Sequence, residues 1–190
     1  MAVIDIAGFV ADIKDHAGDH HFHVHDERHF VETYSMRQAF EVDLHPDHAC
    51  GGPLDLHLAI DVDPRGLLAF EDEVAALDDP DAVPADDIVL PLIFTWSLPP
   101  LAFGPDLLVL ATELAGVGGS DLPLEVSALD AVGAVSVEGE PQRSLTITAR
   151  VEVPLSRVYV GDEQLCDIFD RCHAICDFLL DRAHAWLDEQ

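Results

Sequence analysis

The sequence predicts an α+β domain, and three observations carry that prediction. Residues 54–63 and 145–155 each alternate apolar and polar side chains, residues 165–187 repeat apolar side chains at helical spacing, and the strand-like stretches run consecutively rather than alternating with helices. The expected architecture is a mostly antiparallel sheet with a short N-terminal helix and a long amphipathic C-terminal helix packed on it, all within one domain over residues 1–190.

Taken in order, Val3, Ile6, Val10 and Ile13 share one face of a helix over residues 3–15, which Ala17-Gly18-Asp19 should end. From His20 to Leu44 the period becomes two, giving one or two strands with residues 33–39 open between strand and helical turn. Leu54, Leu56, Leu58, Ile60 and Val62 face one way and Asp55, His57, Asp61 and Asp63 the other, which makes a strand with one dry face. Residues 67–77 fit a strand or a short helix, with a strand passing into irregular structure preferred, and residues 71–87, rich in Asp and Glu with Pro80 and Pro84, read as a solvated loop. The run 88–98 is apolar on both faces and reads as a central strand covered on two sides, with Pro91 suggesting a bulge or an edge.

Residues 107–114 and 132–137 read as short strands on either side of Gly116-Val-Gly-Gly119. The strand 145–155 continues into Arg157–Val160, and Asp162 is the expected N-cap of the last helix. Leu165, Ile168, Phe169, Cys172, Ile175, Cys176, Leu179 and Trp186 form its apolar stripe, and Asp167, Asp170, His173, Asp177 and Asp181 its wet face. At 1.5 Å per residue such a helix spans about 38 Å, enough to cross four or five strands. The order of elements is similar in layout to helix-grip (START-like) and SecB-like domains; the similarity is one of layout and no motif carries it.

Composition narrows function without naming it. Half of the residues are apolar (49%), which supplies a core and argues against disorder. Nine Lys and Arg face 37 Asp and Glu for a net charge of −28, so the chain should repel nucleic-acid backbones and anionic membrane surfaces. Acidic residues within the first apolar stretch and the lack of a basic segment before it predict no signal peptide, and a cytoplasmic location follows as the expectation.

Among candidate sites the run Asp19-His-His-Phe-His-Val-His-Asp26 stands out. On a strand with Phe22 and Val24 facing the core, His21, His23 and His25 share the other face, where imidazoles spaced i, i+2 converge on one ion. Cys172 and Cys176 lie on the apolar stripe, where small thiols pack as core. Cys50, with His45 and His48 before it, has the composition of an activated thiol. There is no G-x-S-x-G and no phosphate-cradling glycine loop.

Three functions are thus carried forward. The leading one is a non-catalytic, acidic-surfaced binding or assembly module that self-associates or joins a protein partner, needing no cofactor. The alternatives are a metal-binding protein or metal-dependent enzyme that holds zinc or another divalent transition metal on His21, His23 and His25, and a carrier of a small apolar ligand between the sheet and the C-terminal helix.

Overall fold

The structure, a computed structural model, describes residues 4–79, 82–101, 104–131 and 142–187. Its strands are β1 (Phe22–Val31), β2 (Gln38–Pro46), β3 (Asp55–Val62), β4 (Val89–Ser97), β5 (Leu124–Ala131) and β6 (Gln142–Pro154). The helices are α1 (Ile6–Asp19), α2 (Pro64–Ala75), α3 (Leu107–Gly118), α4 (Leu155–Val160) and α5 (Cys166–Leu187). The strands form one antiparallel sheet in the order β1-β2-β3-β4-β6-β5. The α+β class, the short N-terminal helix and the long C-terminal helix are as the periodicities predict.

The register explains the core. Phe40, Val42 and Leu44 on β2 align with Leu56, Leu58 and Ile60 on β3, then with Leu92, Phe94 and Trp96 on β4, then with Ile147 and Ala149 on β6. All of these side chains are buried. Helix α5 crosses this face: Phe169 meets Phe94 edge-on at 6.0 Å between ring centroids, and Trp96 Nε1 donates to Cys176 Sγ at 3.3 Å. Helix α1 packs beside α5 over β1, burying Phe9, Val10, Ile13 and Ala17, while α3 packs on the other flank over β5. Trp186 is half-buried against the same core rather than presented to solvent.

Several elements differ from expectation, each for a local reason. Residues 67–77 are not a strand: Asp63 accepts the Arg65 backbone N–H, Pro64 occupies the first turn, and α2 buries Phe70. Residues 107–114 are likewise helical, because Asp106 accepts from the N–H groups of Leu108 and Val109 and starts α3, whose Leu110, Leu114 and Gly118 face inward. Helix α3 ends at Gly119 (φ 69°), where a side chain would collide with Arg171, whose Nη1 donates to the Gly118 carbonyl at 2.7 Å. The strand preceding β6 is β5, over residues 124–131; the expected strand at 132–137 lies outside the described residues, as does Val3 of the N-terminal stripe.

Helix α1 also runs on through Ala17-Gly18-Asp19. Arg157–Val160 is helical, and α5 begins at Cys166 rather than beyond an Asp162 cap. Gly161 ends α4 in the left-handed region, and the Asp162 carboxylate accepts from Arg157 Nη1 at 2.9 Å. Strand β4 buries one face only; on the other, Ile93 and Thr95 are half-buried. Pro91 is tolerated within the sheet because the β3–β4 ladder ends at the Ile60–Leu92 pair, one residue short of it.

Candidate metal centre

The histidine-rich run folds around a corner, and that corner sorts its members. Helix α1 gives way at His20, and His21 takes a positive φ (64°) before β1 begins. Phe22, buried under α5, fixes the inward face of β1 and thereby sends His23 outward. The β1–β2 register then slips between Val24 and Asp26, so His25 has no direct partner on β2. Such a bulge re-aims the side chain it frees. Here it leaves the His25 ring 4.8 Å from that of His23, and 4.3 Å from that of His45, the residue paired with His23 on β2.

The β2–β3 connection completes the group. Pro46 leads into a 3-10 turn at Asp47–Ala49, and Gly51 (φ 82°), a conformation that favours glycine, turns the chain back toward β3. Cys50 stands between them with Sγ 2.9 Å from His25 Nε2 and 3.7 Å from His23 Nδ1. The donor atoms of His23, His25 and Cys50 all lie within 4.8 Å of one another. In a tetrahedral zinc site an imidazole nitrogen and a thiolate sulfur stand about 3.5 Å apart, given bonds of roughly 2.0 and 2.3 Å. The two nitrogen–sulfur separations bracket that value. All three residues are exposed, so an ion reaches them without opening the fold.

His45 lies behind the group with only 12% of its side chain exposed. Its Nε2 is 3.3 Å from Asp55 Oδ1, while its Nδ1 is buried without a hydrogen-bond partner. Burial pushes the His45 pKa below the ordinary imidazole value, and the His25 and His23 rings push the same way, against Asp55 and Asp43. A buried ring nitrogen without a partner beside a cluster of donors is a group that an ion or its bound water would satisfy.

Of the three histidines expected to act together, the structure brings His23 and His25 to one point and takes His21 elsewhere. The His21 ring lies edge-on to His173 of α5, 6.2 Å away, on the far side of the corner. Period-two spacing did not register the positive φ that ends the alternation before it reaches His21. Cys50, which spacing alone sets apart from the histidine run, joins it through the loop, and the His45-x-x-His48-x-Cys50 spacing is the signal that this loop carries donors too.

Of the remaining thiols Cys166 is exposed at the start of α5, and the other two differ in kind. Cys172 and Cys176 are fully buried on the α5 stripe. Burial holds the Cys172 thiol well above its usual range, with Cys176 adding to the effect. Cys176 is pushed up to about 12 by burial, with the Trp96 N–H opposing and Asp177 adding to the rise. Both remain protonated and serve the core. No protein-family model matches the chain, and neither the curated proteins nor the solved structures yield a match.

Proposed function

We propose that this domain binds a transition-metal ion, zinc in the first instance, through His23, His25 and Cys50. The observation that supports this reading is the convergence of two imidazoles from a bulged strand and a thiol from a separate loop within 4.8 Å. Thiolate and imidazole donors together select zinc over harder cations such as magnesium and calcium. The ion joins the β2–β3 loop to the edge strand β1 and leaves its fourth position to water. Zinc added to reduced, tag-free protein at about a hundred times its Kd should stabilise the fold by about 2.7 kcal/mol, read as a rise in melting temperature. Cys50→Ser and the pair His23→Ala, His25→Ala should each weaken that response. A melting temperature unmoved by saturating zinc in the unaltered chain removes the proposal.

A second reading, self-association, is favoured by the other end of the same hairpin. Phe30, Val31, Tyr34 and Met36 are all exposed around the β1–β2 turn, and β1 is an edge strand with one unpaired side. A second copy of the chain is the proposed occupant. Sedimentation should then show a species larger than the monomer that Tyr34→Ser with Met36→Ser reduces; a monomer at all concentrations rejects it.

A further inference from the structure

Helix α5 turns its apolar stripe to the sheet, yet two polar residues on its other side are not fully solvated. His173 and Asp177, one turn apart, are half-buried. The 3-10 turn of the β2–β3 loop brings His48 to them, and this turn is anchored to the corner of the fold by the Asp47 N–H, which donates to the His21 carbonyl at 2.9 Å. The His173 ring is itself held edge-on to Phe22 at 5.6 Å. Packing and backbone hydrogen bonds therefore determine where these donors stand.

They meet as ion-pair contacts rather than as aligned hydrogen bonds. Asp177 Oδ1 is 3.2 Å from His48 Nε2, and Asp177 Oδ2 is 3.3 Å from His173 Nδ1. Elsewhere in the molecule, histidine–aspartate pairs that do hydrogen-bond close to 2.6 Å (His20–Asp170) and 2.7 Å (His57–Asp43). Asp177 Oδ1 is buried and has no hydrogen-bond partner, because His48 comes near it without the required direction. Two nitrogen or oxygen ligands at roughly 2.0–2.1 Å from a tetrahedral ion stand about 3.3 Å apart, a separation that each imidazole nitrogen has from one oxygen of Asp177, Oδ1 for His48 and Oδ2 for His173. The three donor atoms all lie within 4.8 Å of one another.

We propose that His48, His173 and Asp177 form a second divalent-cation site, which ties the β2–β3 loop to helix α5. The donor set is two imidazoles and one carboxylate with no sulfur, which suits zinc, cobalt or nickel and leaves the remaining positions to water. The site shares no ligand with the His23/His25/Cys50 group and stands whether or not that group holds a metal. His48 and Cys50 do lie on the same short loop, so one loop carries a ligand toward each site. It lies between the edge strand on one side and α5 on the other.

Cobalt distinguishes the two sites, because a cobalt–thiolate charge-transfer band arises only where Cys50 is a ligand. Titration of the reduced 190-residue chain with cobalt alone, followed by calorimetry and absorption, should find two ions per chain. His48→Ala, on the exposed loop, and Asp177→Asn should each reduce this to one ion, a loss in affinity at the second site of about tenfold or more, with the charge-transfer band unchanged. Cys50→Ser should do the reverse, abolishing the band while one ion still binds. One ion per chain with the band present, and no effect of His48→Ala or Asp177→Asn, overturns the second site and leaves the first standing. One ion without the band, lost in Asp177→Asn, supports the second site and removes the first. A Cys50→Ser chain that binds no cobalt also overturns the second site, provided its circular dichroism shows it folded.

Discussion

The covered face of the sheet and its histidine end are built from the same strands, yet polar groups meet opposite fates in them. Under α5 Trp96 Nε1 meets Cys176 Sγ, and the large side chains packed around them, among them Phe94, Phe169 and Leu179, are apolar and buried. At the histidine end, His20 and Asp170 do hydrogen-bond, but the His45–Asp55, His48–Asp177 and His173–Asp177 contacts are 3.2–3.3 Å, and two buried polar atoms, His45 Nδ1 and Asp177 Oδ1, have no hydrogen-bond partner. Native proteins leave few such atoms, since each costs about 1–3 kcal/mol when unmet. The contrast teaches that the covered face supplies the packing, while the histidine end holds buried polar atoms that the protein's own hydrogen bonds do not meet.

The largest effect sharpens that contrast. Phe169 is fully buried among Phe22, Phe94 and His20, and Leu179 is fully buried ten residues further along the same α5 stripe. Phe169→Ala and Leu179→Ala should each cost about 2–5 kcal/mol in chemical denaturation. The cost should be the same with and without zinc, because neither side chain supplies a donor to either histidine group. Asp181→Ala, on the exposed side of α5, should stay within about 0.5 kcal/mol. A zinc-dependent cost at Phe169 would merge the two regions into one and break the comparison.

What the sequence showed and what it hid follow the range of the interactions. Strands β3 and β6 and the stripe of α5 were legible because each is a long, regular alternation that one burial pattern explains. Helices α2 and α3 were not, although Asp63-Pro64 and Pro105-Asp106 are helix-start signals, because short apolar runs satisfy both periods and the capping carboxylates decide between them. The histidine pair was visible as H-x-H. Its bulge, the departure of His21 and the arrival of Cys50 depend on register and on Gly51, which spacing does not encode. The trio His48, His173 and Asp177 joins a loop to a helix over a hundred residues later, so only the fold brings it together; Asp177, on the wet face that periodicity predicts, keeps 49% of its side chain exposed but buries Oδ1.

The smallest effect tests whether polar groups elsewhere on the sheet are met by the protein itself. In the middle of the outer face Asp43 accepts from His57 Nδ1 at 2.7 Å and from Arg28 Nη2 at 2.9 Å, and Arg28 also holds Glu41 and Asp26. Partial burial pushes the Asp43 pKa up, but the His57 hydrogen bond and the Arg28 charge outweigh it, and the carboxyl titrates below its ordinary 3.8. A carboxyl whose pKa is depressed by folding contributes stability that is fully present above the unfolded value and lost as pH falls through the folded one. Asp43→Asn should therefore cost about 1 kcal/mol near neutral pH, and that difference from the parent should shrink as pH drops below about 4. Denaturation of both proteins across that range, with and without zinc, checks it. If the difference persists unchanged into acid, Asp43 is not held as an anion by His57 and Arg28. If it depends on zinc, the closed network and the histidine end respond to the same ion, and the line drawn between satisfied and unsatisfied polar regions fails there.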